Sequence, residues 1–274
     1  MTSNDLVSIV IPTYNSEKSL VTCLQSIQNQ TYPFVEVILV DNYSKDNTRK
    51  LAASFNAKII KKTSERAVAR NLGITHARGL YILSIDSDME LETEVIQQCI
   101  KSFKNNDHAG GVVIPEISVG ISFWVKIRNY ERGFYENSKI ESARFLKKDQ
   151  IEKVGGYEDT IIFFEESTLP QKIERLGYNI HLRIDSHIWH HEENFNIIDW
   201  LKKKFYYAQH IGIYKKNYGS YATEQMNPFY RINIFLKNEK KRFFSKPLLA
   251  FGVIVLKTLE YLFSGLGYLF SKKN

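Results

Sequence analysis

Three short apolar runs, each stopping at a polar cluster, limit what this chain can fold into. Residues 6–11 read LVSIVI and lead into Pro12, Thr13, Tyr14 and Asn15; residues 37–40 lead into Asp41; residues 81–85 lead into Asp86, Ser87 and Asp88. Near-continuous apolar runs of this length mark strands buried on both faces of a parallel sheet. Between them, residues 17–29 place Leu20, Leu24 and Ile27 on one helical face with Cys23 beside them, and residues 65–78 predict a second helix rich in small side chains. Residues 57–60 supply another strand, and Asn42, Ser44, Asp46 and Asn47 a turn. Strand–helix repetition predicts an α/β fold, doubly wound, with a mostly parallel central sheet. Ligands of such sheets bind beyond the carboxyl ends of the strands, where all three polar clusters fall. Pro12 is expected to end the first strand.

After Gly110 and Gly111 the pattern loosens. It predicts a strand at 112–115, a helix over 123–135, a strand at 143–147 and a helix over 150–154. A break follows at Gly155, Gly156 and Tyr157, then a helix over 166–176 opened by Glu165 and Glu166, then a strand at 179–183. A soft boundary falls near residue 115. The 274 residues, 43% hydrophobic, suffice for one large α/β domain with a modest extension. Two cysteines, Cys23 and Cys99, exclude a disulfide framework or a cysteine-rich zinc site and suit a reducing compartment. The opening MTSNDLVSIVIPTYNS shows no basic segment followed by a long apolar run, so no signal peptide is expected and the catalytic part is placed in the cytoplasm.

Asp86 and Asp88, spaced by one residue at a strand end, can hold a hard divalent ion from one side and leave its other positions for diphosphate oxygens. The plainer alternative is capping of a helix over 90–100. Arg66 and Arg70 are four apart on one helix face, within reach of a common site, with a structural ion pair as the alternative. Glu165 and Glu166 offer carboxylates for proton transfer or, more simply, charge stabilisation of a helix N-terminus. Residues 187–193 hold three histidines and two carboxylates but lack the HExxH zinc arrangement, and His190 and His191 point to different sides if extended.

Taken in order, VSIVIPTYNS at 7–16, SIQNQTYPFVEVILVDNYSKDNT at 26–48, ERAVARNLGITHARGLYILSIDSDM at 65–89, ARFLKKDQIEKVGGYED at 143–159 and FFEESTLPQKIERLGY at 163–178 resemble family 2 of the inverting glycosyltransferases, with its GT-A nucleotide-diphospho-sugar transferase fold. The resemblance covers most of residues 6–200. It implies a donor half at 1–115, an acceptor and catalytic-base half at 116–220 and a C-terminal extension at 221–274. It places Pro12, Thr13, Tyr14 and Asn15 around the base and ribose of a nucleotide-sugar. Asp41 matches the acid that binds uracil or ribose, which favours a UDP-sugar, although the usual second Asp of that motif is Asn42 here. Arg66, Arg70, Asp86 and Ser87 line the donor site. Asp88 would be the direct metal ligand for Mg2+ or Mn2+, with Asp86 near it and His190 completing the set, His191 being second choice. The family's Glu-Asp pair is Glu165-Glu166 in this chain, so Glu166 stands at the base position with Glu165 as the alternative. A later position often filled by Asp is Thr168. The opening PTYNS is similar to members that extend polysaccharides or lipid-linked glycans, which implies a glycan or polyprenyl-linked acceptor at the cytoplasmic face of a membrane. A catalytically inactive GT-A-like scaffold or a membrane-surface binding protein is the alternative.

Residues 200–274 carry twelve Lys and two Arg against three Glu, a net of +11, while the rest of the chain carries −4. A basic tail on a mildly acidic body suggests an anionic partner. No groove-reading motif points to nucleic acid, and no glycine-rich basic loop near the first strand points to nucleotidyl transfer. Residues 248–270 are long enough to cross a bilayer, about 35 Å as one helix, but Lys257 and Glu260 near its middle are costly at bilayer depth. Helices parallel to the interface, or a shallow hairpin broken near Gly265 and Gly267, fit better; a soluble helix packed on the core or on a second subunit is the plainer reading. Lys240, Lys241, Arg242 and Lys246 flank one side and Lys272 and Lys273 the other, with Phe243, Phe244, Tyr261 and Tyr268 suited to headgroups. A basic, amphipathic extension on an anionic membrane surface is therefore expected. The oligomeric state is open.

Overall fold

The computed structural model describes residues 5–193, 195–237 and 240–271. Lys272 and Lys273 of the expected basic flank lie outside the described residues. The fold is mixed α/β with a central sheet and a C-terminal apolar helix, and the chain divides into two compact units.

The first unit takes Met1–Ile117, Ser142–Asp159 and Glu165–His191. It begins with β1 (Val7–Thr13), α1 (Glu17–Gln28), β2 (Val35–Asp41), α2 (Thr48–Ser54), β3 (Lys58–Lys61), α3 (Arg66–Thr75) and β4 (Tyr81–Ser84). It continues with β5 (Met89–Leu91), α4 (Val95–Lys104), β6 (Gly111–Val113) and the start of β7 (Glu116–Val119), the strand in which the chain leaves this unit for α5 (Phe123–Arg132). On its return it adds β8 (Phe145–Lys147), α6 (Lys148–Val154), α7 (Glu165–Glu174), β9 (Leu182–Arg183) and β10 (Ile188–His191). Seven strands form the main sheet in the order β3-β2-β1-β4-β8-β6-β9, and β5-β10-β7 form a smaller one. β3, β2, β1 and β4 run parallel, as do β6 and β9, while β8 is antiparallel to both of its neighbours. The units are thus not successive halves of the chain, because residues 142–159 and 165–191 fold with residues 1–117.

Alternation in β1 explains why both sheet faces are covered. Val7, Ile9 and Ile11 pack with Leu20, Leu24 and Ile27 of α1 and with Ile96 and Ile100 of α4, whereas Val10 packs with Ala67 and Ile74 of α3. Gly79, just before β4, lies against backbone: a Cβ there would stand 2.6 Å from the Leu6 carbonyl oxygen and 2.7 Å from the Ser8 nitrogen. Gly79→Ala must therefore push β1 aside and is expected to cost about 1–3 kcal/mol, read as a lowered midpoint in urea unfolding.

Two expectations fail in instructive ways. β1 does not stop at Pro12 but runs through it, with Pro12 opposite Val40 of β2. The Ile85 N–H donates to the Val10 carbonyl, and the Asn42 N–H to that of Thr13. Even-numbered residues of β1 thus face β4, whose ladder has already ended at Val10 opposite Ser84, so proline's missing donor leaves no ladder bond unmade. Helix is also absent at 89–91. Met89 and Leu91 are buried with Glu90 between them, a two-residue period, and this segment pairs antiparallel with β10, nearly a hundred residues on; the helix begins at Val95.

The second unit takes Ser118–Glu141, Thr160–Phe164 and Glu192–Asn274. It is built from α5, α8 (Ile197–Gln209), α9 (Ile211–Met226), α10 (Pro228–Lys237), α11 (Lys240–Ser245) and α12 (Pro247–Leu269). Ile127, Phe134, Phe235, Phe243, Val253 and Leu256 form its main core. The anticipated hairpin does not occur, for α12 is one helix running through Gly265 and Gly267. Gly267 serves close approach instead, since a Cβ there would strike the Phe205 carbonyl of α8, and one at Gly252 would strike Ile127 of α5.

Candidate active site

The strand ends place the polar clusters. Thr13 and Asp41 are opposite one another in the β1–β2 ladder, and the Thr13 hydroxyl donates to Asp41 Oδ1 at 3.2 Å. Asp41 is fully buried. Its carboxylate accepts the Ser44 N–H at 3.0 Å and the Ser44 hydroxyl, and lies 3.6 Å from Arg49 Nε. In this structure it therefore folds the loop after β2. Asn15 adopts φ +48°, sparsely populated for a residue with a side chain; its N–H donates to Ser44 Oγ and its Oδ1 accepts the Lys45 N–H. Tyr14 is exposed. The Ser87 hydroxyl donates to Ser16 Oγ at 2.9 Å, which ties the turn after β4 to the loop after β1.

Asp86 ends the segment after β4 and meets α3. Arg70, 1% exposed, places Nη2 2.9 Å from Asp86 Oδ1 and Nη1 3.3 Å from Glu165 Oε1. Arg66, one turn earlier, brings Nε to 3.1 Å from the same Glu165 oxygen, so the two arginines do share a target. Burial alone would raise the Asp86 pKa, but Arg70, then Arg144 and Arg66, hold its carboxyl well below the usual range. Glu165 goes the other way: burial first, then the Glu166 charge, push it above its ordinary value against the two arginines. The Tyr157 ring lies 5.7 Å from the Arg70 guanidinium carbon. Asn71 holds the neighbouring loop: it donates to the Tyr157 carbonyl at 2.9 Å and accepts the Tyr157 N–H at 2.8 Å. Gly156 there has φ +75°, and a Cβ would stand 2.5 Å from Asn71 Oδ1. Thr168 is buried in α7, where its hydroxyl donates to the Glu165 carbonyl and accepts the Glu158 N–H.

Glu166 is half-buried. Its backbone carbonyl accepts the Ser142 hydroxyl at 2.8 Å, while its carboxylate makes no hydrogen bond or ion pair among the described residues.

Beside this cluster, His190 on β10 places Nε2 3.4 Å from Asp88 Oδ2 and Nδ1 3.6 Å from Glu116 Oε2. Glu116 is in turn held by Arg144, whose Nε and Nη2 both lie 2.6 Å from Glu116 Oε1. His191 faces the other side of the strand, 2.7 Å from Glu90. Among the described residues no group of three His, Cys, Asp or Glu side chains closes around a common metal position. A pair does stand ready: Asp88 Oδ1 is buried with no hydrogen-bond partner among the described residues, and its other oxygen faces the His190 ring. A carboxylate oxygen left unpaired beside an imidazole suits a divalent ion that takes its remaining ligands from a bound diphosphate.

The structure thus gathers Arg66, Arg70, Asp86, Glu165 and Glu166 in one cluster and Asp88 with His190 next to it. Pro12, Thr13, Tyr14, Asn15 and Asp41 lie on the adjoining strand ends. Sequence reasoning missed Arg144, Glu116 and Tyr157. Arg144 lies inside the ARFLK segment quoted for the resemblance, which carries no mark of its charge partner.

The chain matches the family model Glycosyl transferase family 2 over residues 8–167 and belongs to that family. Among curated relatives, it is 33% identical over 111 residues to Glycosyltransferase GlyG of Streptococcus pneumoniae serotype 4, covering 38% of this chain and 37% of that one. It is 26% identical over 217 residues to Glycosyltransferase AglE of Haloferax volcanii, covering 73% and 70%. Over 144 residues it is 30% identical to Chondroitin synthase of Escherichia coli, half of this chain but 21% of that one. It therefore spans well under half the length of two of these three. Among solved structures, the mannosyltransferase PcManGT of Pyrobaculum calidifontis, in complex with GDP-Man and Mn2+, superposes with a TM-score of 0.69 at 17% identity, covering 99% of this chain and 89% of that one. S. aureus TarS 1-349 with UDP-GlcNAc gives 0.59 at 15% identity, covering 95% and 83%. These likenesses establish the shared fold.

Proposed function

We propose that the chain is an inverting glycosyltransferase that moves a sugar from a nucleotide-sugar, with UDP favoured, to a hydroxyl of a glycan or polyprenyl-linked saccharide at the cytoplasmic face of a membrane. The observation that carries the reading is the division of labour between the two adjacent acids: Glu165 is bound by Arg66 and Arg70, and Glu166 beside it has a carboxylate without an ion-pair partner among the described residues. A base must be free to approach the acceptor hydroxyl, and a carboxylate whose oxygen is already held by two guanidinium groups is tied to them instead. Glu166 takes the proton of the acceptor hydroxyl. The acceptor oxygen attacks the anomeric carbon from the face opposite the nucleotide, the bond to the diphosphate oxygen breaks with its electron pair, and the configuration inverts. Asp88 and His190 would hold Mg2+ or Mn2+, which supplies positive charge for the departing diphosphate. Arg70 fixes Asp86 and Glu165 relative to one another. Residues 1–115 serve the donor and 116–220 the acceptor, and the loops after β1 and β2 receive the nucleoside.

The test is turnover of a panel of UDP- and GDP-sugars by purified protein with mixed polyprenyl-linked acceptors, with Mn2+, Mg2+ or EDTA. Release of one nucleoside diphosphate coupled to a heavier acceptor, and abolished by EDTA, is expected. Absence of both nucleotide binding and turnover across the panel overturns the reading in favour of a scaffold. A second expectation concerns Glu116, whose Oε2 lies 3.6 Å from His190 Nδ1. E116Q is expected to weaken Mn2+ binding in the presence of UDP by about 10–100-fold, measured by the free-Mn2+ electron paramagnetic resonance signal. An unchanged titration would remove Glu116 and Arg144 from the metal's surroundings.

A further inference from the structure

By length and composition α12 passes for a membrane span, yet one side of it is built into the second unit by charge. Lys257 Nζ lies 2.5 Å from both Glu131 of α5 and Glu260. Glu260 also accepts the Trp200 indole N–H at 2.9 Å and lies 3.3 Å from Lys204, both on α8. Arg231 of α10 reaches Glu131 at 3.9 Å and donates to the Tyr135 hydroxyl. Burial would neutralise these groups, but Lys204 and Lys257 hold the Glu260 carboxyl well below its usual range, and Glu131 and Glu260 hold Lys257 charged. A helix crossing the bilayer would have to leave α5 and α8. Lys204 would then lose Glu260, Glu131 would keep only Arg231 of its two cations, and Lys257 and Glu260 would enter hydrocarbon.

The other side of α12 is apolar and open. Leu248, Phe251, Ile254, Leu262, Leu266 and Leu269 are 48–78% exposed. At 100° per residue they fall on about a third of the helix circumference. Just before this stripe come exposed Lys240, Lys241, Arg242 and Lys246, with Phe244 among them.

We propose that α12 lies along, and not across, an anionic membrane surface: the stripe seats among the lipid chains beneath the headgroups, and the four cations of α11 and its junction with α12 meet lipid phosphates. This rests on the membrane-facing part of the proposed function and assigns its geometry. Apolar area joined to a basic cluster is the pattern of interfacial helices. The exposed cations also favour an anionic lipid surface, whose phosphates complement their charge.

The test uses the full chain with vesicles of phosphatidylcholine alone and of phosphatidylcholine with phosphatidylglycerol. Sedimentation with the anionic vesicles is expected. It should fall about tenfold or more in the F251E/L262E variant, and likewise in K240E/K241E, whose changes touch no buried group. Added S245C and S271C variants report the two ends of α12 by an impermeant maleimide, since native Cys23 and Cys99 are buried. Both ends are expected to label from outside intact vesicles. Protection of Cys at 271 until detergent is added means that the helix crosses and overturns the proposal. So does vesicle binding indifferent to both variants, and so does a dimer that F251E/L262E dissociates without any vesicle binding. None of these readouts needs sugar transfer, so a chain that sits on vesicles but neither binds nor turns over any donor leaves this proposal standing and removes the enzymatic one.

Discussion

Replacing Glu166 with Gln is expected to cut the rate of sugar transfer by about 10²–10⁴-fold, the range over which a positioned general base contributes, while binding of the nucleoside diphosphate persists. Gln keeps the shape of the side chain and its hydrogen-bonding reach but takes no proton. The carboxylate has no ion pair or hydrogen bond among the described residues, so the substitution strands no partner and the fold should be unaffected. Glu165→Gln supplies the contrast. Its carboxylate is 3.1 Å from Arg66 and 3.3 Å from Arg70, so this change should lower stability as well as activity. Calorimetric nucleotide binding alongside transfer assays separates the two. If E166Q transfers sugar at the wild-type rate, the base lies elsewhere; if E165Q alone loses turnover with binding and stability intact, the roles of the two acids are exchanged.

Arg70→Met is expected to destabilise the protein by about 3–5 kcal/mol, the cost of removing one partner from a buried ionic group. Methionine fills much of the volume, so the loss is one of charge. Asp86 and Glu165 would then be left near one another, Arg66 remaining to Glu165. The pH dependence carries a sign. Asp86 titrates below its ordinary value in the folded protein, so it contributes stability above the unfolded carboxylate pKa, about 4, and that contribution is lost as pH falls. Glu165 titrates above its ordinary value, so stability tied to its protonated form is present in acid and lost as pH rises through the raised pKa. Removing Arg70 weakens the first effect and strengthens the second. Urea unfolding at pH 4 and pH 7 should show a smaller deficit for R70M at the lower pH. An equal deficit at both would mean that Arg70 is held by packing and not by the two carboxylates.

What was legible in the sequence was what neighbours in the chain determine. LVSIVI, VILV and YILS had to be buried strands because their apolar residues are continuous, and Asp41 and Asp86 had to emerge at strand ends. Arg66 and Arg70 could be placed together from helical spacing alone. Misreadings came where a distant partner decides. Pro12 looks like a stop unless the shortness of β4's ladder is known. Met89–Leu91 follows a strand period but found its partner only in β10, and residues 89–100 also satisfy a helical pattern. Arg144 and Glu116 are 28 residues apart and neither carries a local mark. In α12 Gly267 read as a breaker and Lys257 and Glu260 as liabilities; these three are accounted for by α5 and α8, which no local pattern in residues 248–270 foretells.

The position of β8 between β4 and β6 has a consequence for how the protein is made. Chains emerge amino terminus first, and domains fold as units once their parts are available. When residue 117 leaves the ribosome, β1 to β4 can already zip in parallel, but β6 has no place beside them until Phe145–Lys147 arrives to sit between. The nascent sheet is split at its middle, with the β4 edge bare and Leu83, Phe103 and Val112 still waiting for Phe145. Truncations near residue 115 should accordingly behave as sticky half-sheets, and ribosome pausing between residues 117 and 147 would lengthen the interval in which a newborn chain is vulnerable to chaperone capture or edge-to-edge aggregation.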